Sequence, residues 1–132
     1  MKKIFLLFAL FFVLFVTATV AFGQQRITFK RGARTAVVTG RLSGYGGKKV
    51  FIIRVRRGQT LSTEQIKPDA SNRYITVSIK APNGSAVGDS DASCNNRKEI
   101  SPTRAGDYRI EVYECRKADS WRGNFRLKVR VE

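Results

Sequence analysis

Three observations on the sequence predict an all-β protein, a single antiparallel β-sandwich of jelly-roll type with about eight short strands behind an N-terminal signal peptide. Apolar and polar residues alternate over short runs through most of the chain. Period two is what a half-buried strand requires, because successive side chains point to opposite faces of a sheet. Turn-forming clusters such as Ser43-Gly44-Tyr45-Gly46-Gly47 and Pro82-Asn83-Gly84-Ser85 separate the runs, the punctuation of a sandwich rather than of an α/β fold. Beyond the first 23 residues no stretch carries a helical period.

Residues 1–23, MKKIFLLFALFFVLFVTATVAFG, stand apart in composition. Lys2 and Lys3 precede an unbroken apolar run, and Ala21-Phe22-Gly23 is a small-x-small cleavage pattern. This is the layout of a secretory signal peptide cut after Gly23. A retained anchor is the competing reading, since the apolar character reaches spanning length. Thr17 and Thr19 interrupt its tail and no basic cluster follows at once. The expectation is an exported protein, periplasmic or extracellular, with no stable membrane span after cleavage. Residues 24–132 then form one β-sandwich domain of ordinary size.

Within that domain Ile27 and Phe29 alternate in a first short strand over 26–29, and 35–42 forms a second. In 49–56, Phe51, Ile53 and Val55 face inward while Arg54 and Arg56 face out. Arg57-Gly58-Gln59 turns the chain into a strand over 60–66 anchored by Leu61. After a turn at 68–72, the strand over 73–80 points Ile75, Val77 and Ile79 inward. Asn83-Gly84 is the pair that a tight reversal with positive φ favours, and 85–87 can pair briefly beyond it. A polar loop over 89–97 leads to a short strand at 98–101. The last two strands are the clearest. In 107–115 Tyr108, Ile110 and Val112 oppose Arg109, Glu111 and Tyr113, and in 124–131 Phe125, Leu127, Val129 and Val131 alternate with Arg126, Lys128 and Arg130.

Charge and cysteine count bound the function. Without Lys2 and Lys3 the domain has 23 Lys and Arg against 10 Asp and Glu, a formal +13. Such a surface attracts acidic proteins, anionic lipid, cell-wall polymers or nucleic acid, or is simply well solvated; no specific nucleic acid is expected. Cys94 and Cys115 are the only cysteines, and an even count in an exported domain predicts a disulfide between them. The chain has no histidine, which removes the serine triad and the commonest general base. Its few carboxylates form no recognisable catalytic pair. No enzyme activity, cofactor or metal site is therefore expected. Asp89-Ser90-Asp91, near Asn95 and Asn96, lacks the ligand spacing of a calcium loop. Asn83-Gly84-Ser85 matches a glycosylation acceptor, but the hairpin turn accounts for it.

The loop over 116–123 combines Arg116, Lys117 and Arg122 with Trp121, the only tryptophan. Arginine and tryptophan dominate binding hot spots because each offers a large flat contact and directed donors. The alternative is that Trp121 folds back to cap the sandwich. The cationic alternate face, Arg54, Arg56, Arg126, Lys128 and Arg130, is either a binding face for a polyanion or the wet side of the sheets.

RITFKRGARTAVVTGRLSGY, VFIIRVRRGQTLS, APNGSAVG and AGDYRIEVY, read in this order, resemble the bacterial pre-peptidase C-terminal-like β-sandwich domains. Within that group the chain is similar in layout to the periplasmic inhibitors of g-type lysozyme. That resemblance implies an exported inhibitor in which a tyrosine after the second strand and arginines of the last loop enter the lysozyme cleft. The matching positions are Tyr45 and Arg116 with Arg122; Asp119, Ser120 and Trp121 intervene between the arginines. A protein partner of this kind is the first expectation, with Tyr45, Arg116, Trp121 and Arg122 as binding residues. A basic module for an anionic envelope polymer or lipid is the second, and a purely structural domain the third. In each case a monomer or weak dimer is expected.

Overall fold

The computed structural model describes residues 23–44, 46–66, 74–88, 94–115 and 122–132. The described residues contain nine strands and no helix. In chain order these are β1 (Gln24–Arg26), β2 (Thr35–Ser43), β3 (Lys49–Val55), β4 (Leu61–Gln65), β5 (Ile75–Lys80), β6 (Ala86–Val87), β7 (Arg97–Ile100), β8 (Gly106–Glu114) and β9 (Arg122–Val131). They form a five-stranded sheet in the order β1-β3-β8-β5-β6 and a four-stranded sheet in the order β2-β9-β4-β7. Every pairing is antiparallel except the short one between β1 and β3.

The alternation read from the sequence becomes the core. Phe51, Ile53 and Val55 of β3, Ile75, Val77 and Ile79 of β5, and Tyr108, Ile110 and Val112 of β8 are buried from one sheet. Phe125, Leu127, Val129 and Val131 of β9 meet them from the other. β2 contributes the buried Val38 and Leu42, with Gly40 between them and Ala36 packed against the same cluster. Gly40 pairs with Phe125, and a Cβ there would lie 2.6 Å from the Phe125 ring. The missing side chain is what lets that ring lie against β2. It meets Phe51 edge-on at a centroid distance of 6.3 Å, the arrangement aromatic quadrupoles prefer.

The first strand differs from expectation. Pairing covers the exposed Gln24–Arg26, and only one further backbone bond, Ile27 N–H to the Ile52 carbonyl at 2.8 Å, continues it. Ile27 is buried and Phe29 packs against the core as the chain leaves the five-stranded sheet for the four-stranded one. Their alternation thus serves a crossover. Val87 packs on the core and pairs with Ile79, so the brief strand after the Asn83-Gly84 turn exists. Gly84 takes the positive φ of that turn, +85°, and the Asn83 side chain accepts hydrogen bonds from the Ser85 N–H and hydroxyl.

Candidate functional site

The two loops that the sequence singles out leave from one end of the sandwich. β2 ends at Ser43, β9 begins at Arg122, and these two residues are ladder partners. On the facing sheet β3 begins at Lys49 opposite Val112, and β8 continues to Glu114. The chain after β2 therefore departs beside the point where the segment 116–121 returns. Tyr45, Arg116 and Trp121 themselves lie outside the described residues.

Arg122 is described, and it is exposed at the first position of β9 rather than within a loop. The ladder with β2 extends through Leu42–Gly123 and Ser43–Arg122, so the strand takes both residues from the loop expected over 116–123. On the other side, Gly44 and Gly46 have φ of +99° and +88°. Glycine adopts that left-handed region without a Cβ penalty. A hydrogen bond from Gly47 N–H to the Gly44 carbonyl, 3.2 Å, links the described residues that flank position 45.

The expected disulfide joins Cys94 to Cys115 across a separation of 21 residues. A loop of that size is worth about 3 kcal/mol in the chain-entropy model. Cys115 N–H donates to the Tyr74 carbonyl, Cys94 N–H to Thr76 Oγ1, and Val77 N–H to the Asn95 carbonyl, each at 2.8 Å. The exit of β8, from which the segment 116–121 starts, is thereby fixed to β5 and to the approach of β7. Asn96 donates to the Gln65 side chain at 3.2 Å. Among the described residues no group of three or more His, Cys, Asp and Glu gathers as a metal cluster would; the acidic run at 89–91 lies outside them.

The outer faces of the two sheets handle charge differently. At the centre of the five-stranded sheet Glu111 is buried, although its position in β8 points away from the core. Arg109 Nε lies 2.9 Å from its Oε1, with Lys80 Nζ at 3.6 Å and Lys48 Nζ at 3.8 Å. The Tyr113 hydroxyl donates to its other oxygen. Burial by itself raises the Glu111 carboxyl, but the Tyr113 hydrogen bond and the three cations outweigh it and hold the group below the usual carboxylate range. Near the edge of the same sheet, Arg26 donates to both oxygens of Asp107, at 3.1 and 2.9 Å, and those hydrogen bonds lower the Asp107 carboxyl.

The four-stranded sheet instead displays Arg122, Arg126, Lys128 and Arg130 along β9, all exposed, with Arg41 on neighbouring β2. Glu64 reaches Lys128 at 3.6 Å and Arg97 at 3.4 Å, and Glu132 pairs with Arg130. Arg54 and Arg56 are exposed at the far end of β3, away from the Ser43–Arg122 end.

Three solved structures share this architecture. Aeromonas hydrophila PliG, a periplasmic lysozyme inhibitor of g-type lysozyme, is 20% identical and superposes with a TM-score of 0.65 over 83% of this chain and 96% of its own. Salmonella Typhimurium PliG, described in the same words, is 15% identical, with a TM-score of 0.60 over 83% and 98%. A mutant of the Escherichia coli PliG is 14% identical, with a TM-score of 0.57 over 83% and 99%. At such identities the likeness establishes the fold. No protein-family model and no curated protein sequence matches the chain.

Proposed function

We propose that this is an exported, non-enzymatic binding protein that inhibits a cell-wall lytic enzyme of the g-type lysozyme kind, with Tyr45, Arg116, Trp121 and Arg122 as its contact residues. The observation that carries the reading is the Ser43–Arg122 pairing, on a fold shared with three such inhibitors. It brings the borders of the two loops together at one end, as a single inserted wedge requires. Lysozyme catalysis depends on carboxylates in a cleft, and a guanidinium placed there forms charge-assisted, two-point hydrogen bonds. The signal-peptide pattern read over 1–23 and the disulfide support export. The absence of histidine agrees with blocking rather than performing chemistry. A formal charge of +13 on residues 24–132 slows encounter with another basic protein, so the target is acidic or weakly charged.

The test is a panel of lysozyme classes assayed with the wild-type protein and with Tyr45→Ala, Arg116→Ala and Arg122→Ala. Each variant is expected to weaken inhibition by about 30-fold, the loss of an anchor worth about 2 kcal/mol, with unfolding temperature unchanged. Arg41→Ala and Arg126→Ala serve as charge-matched controls on the sheet face. If these controls matter and the loop variants do not, the inhibitor reading is lost. The exposed row Arg126, Lys128 and Arg130 then favours the second reading, an envelope module for an anionic polymer. Binding of that kind falls steeply with salt.

A further inference from the structure

The end of the sandwich opposite Ser43 and Arg122 contains an open cavity of about 600 Å³ whose lining includes Arg34, Arg54 and Arg56 together with Phe29, Val55 and Val131. We propose that this cavity binds a small anionic amphiphile, its phosphate or carboxylate head held by the three arginines and its apolar body resting on the other three residues.

The arginines converge from both sheets on fixed backbone. Arg34 immediately precedes β2, and its carbonyl accepts a hydrogen bond from Val131 N–H at 2.9 Å. Arg54 lies in the β3–β8 ladder opposite Asp107. Arg56 N–H donates to Gln59 Oε1 at 2.7 Å, and its carbonyl accepts from Thr103 Oγ1 at 2.6 Å. Thr103 in turn is buried and accepts from Gln59 N–H at 3.0 Å. The backbone of the site is thus fixed before binding, and the ordering cost falls on the three exposed side chains.

The nearby negative charge is already engaged. Glu132 lines the cavity but pairs with Arg130, and Asp107, which feels Arg54, is held at two points by Arg26. Even with a main-chain carboxylate at Glu132 counted, the guanidiniums outnumber the negative groups of the lining. Three like charges around one concavity repel one another, and a bridging oxyanion removes that repulsion while matching the forked donors of arginine. The volume falls within the range of small-molecule sites, roughly 300–1,000 Å³, and far exceeds one phosphate. The same lining includes Phe29, Val55 and Val131, which gives the remainder of the ligand an apolar contact.

The experiment titrates the exported protein, residues 24–132, with decyl phosphate below its micelle concentration, with inorganic phosphate, and with decyl maltoside, by calorimetry and by amide chemical shifts. Decyl phosphate is expected to bind once per chain and to shift Phe29, Val55 and Val131. Arg34→Gln and Arg56→Gln are expected to weaken it by at least about tenfold, whereas Arg41→Gln and Arg126→Gln, which remove the same charge elsewhere, change it by less than about twofold. Arg34→Lys, which keeps the charge and loses the fork, is expected to fall between wild type and Arg34→Gln. It keeps the question open to measurement if a glutamine variant unfolds. Equal weakening in all four glutamine variants, shifts confined to other surfaces, or equal binding of decyl maltoside would overturn the site. Inorganic phosphate binding as tightly as decyl phosphate overturns the amphiphile. Lysozyme inhibition by Arg34→Gln equal to wild type separates this site from the loop end.

Discussion

The two outer faces of the sandwich carry similar residues and use them in opposite ways. On the five-stranded sheet, Lys48, Lys80 and Arg109 surround one buried carboxylate, Glu111. On the four-stranded sheet, Lys128 and Arg97 share the half-exposed Glu64, and Arg126 stands in solvent. The first arrangement is internal structure that happens to lie on an outer face. The second leaves cations available to a partner. Whether a charge on a strand belongs to the fold or to the surface depends on how deeply its counter-ion is covered, and a period-two pattern contains no information about depth.

The largest expected effect lies beneath both faces. Ile110 is fully buried at the centre of β8, paired with Phe51 on one side and Ile79 on the other. Ile110→Ala is expected to cost about 2–5 kcal/mol, the transfer and cavity cost of a buried aliphatic truncation, read as a fall in the denaturation midpoint at unchanged m-value. Ile53→Ala and Val77→Ala belong to the same class, since both positions are fully covered. A loss at Ile110 no larger than that of a surface substitution would mean that the central pairing register is different.

One residue further along, Glu111→Gln sharpens the contrast. It keeps the shape but leaves three cations without their anion, and is expected to cost about 1–3 kcal/mol. The pH dependence follows from the direction of the shift. The folded carboxyl is held below its ordinary value of 4.5, so its stabilisation is fully present above that value and is lost as pH falls through the lower folded one. Urea midpoints measured from pH 6 down to pH 3 are expected to drop more steeply for wild type than for Glu111→Gln. Parallel curves would show that Glu111 contributes nothing to acid sensitivity.

Much of the fold was legible because alternation, glycine turns and an even cysteine count are local signals. Ile75, Val77 and Ile79, or Phe125, Leu127, Val129 and Val131, declare their face by spacing alone, and all are buried as expected. What was not legible depends on neighbours distant in sequence. Glu111 was read on the polar face of its strand, which is correct, yet it is buried there with Lys48 and Lys80, distant in sequence, paired to it. Lys98 and Glu114 are buried although nothing in their type predicts it, and both have interaction partners. The extension of β9 to Arg122 likewise depends on a partner, β2, about 80 residues earlier in the chain. For the site, the sequence proposed two loops, and the ladder brings their borders together at Ser43 and Arg122. Tyr45, Arg116 and Trp121 remain a proposal resting on that border. The cluster of Arg34 with Arg54 and Arg56 was invisible in sequence because it forms only when the two sheets close on each other.

The smallest expected effect is also the most direct comparison of the two faces. Lys80 and Lys128 are the same residue type, 41% and 46% exposed, and each places its ammonium 3.6 Å from a glutamate oxygen. They differ in the glutamate, which is 3% exposed for Lys80 and 46% exposed for Lys128. Water screens the second pair and entropy opposes it, so Lys128→Ala is expected to change stability by no more than about 0.5 kcal/mol. Arg97 remains beside Glu64 in that variant. Lys80→Ala uncovers part of a buried carboxylate and removes one of its three cations, and is expected to cost about 1 kcal/mol. Salt extends the test, because concentrated salt should erase what Lys128 contributes and leave most of what Lys80 contributes. Chemical denaturation with urea at low and high salt measures both. Should the two alanine variants lose equal stability at both salt concentrations, the depth of the counter-ion is not what divides the faces, and the cations of β9 are as structural as those around Glu111.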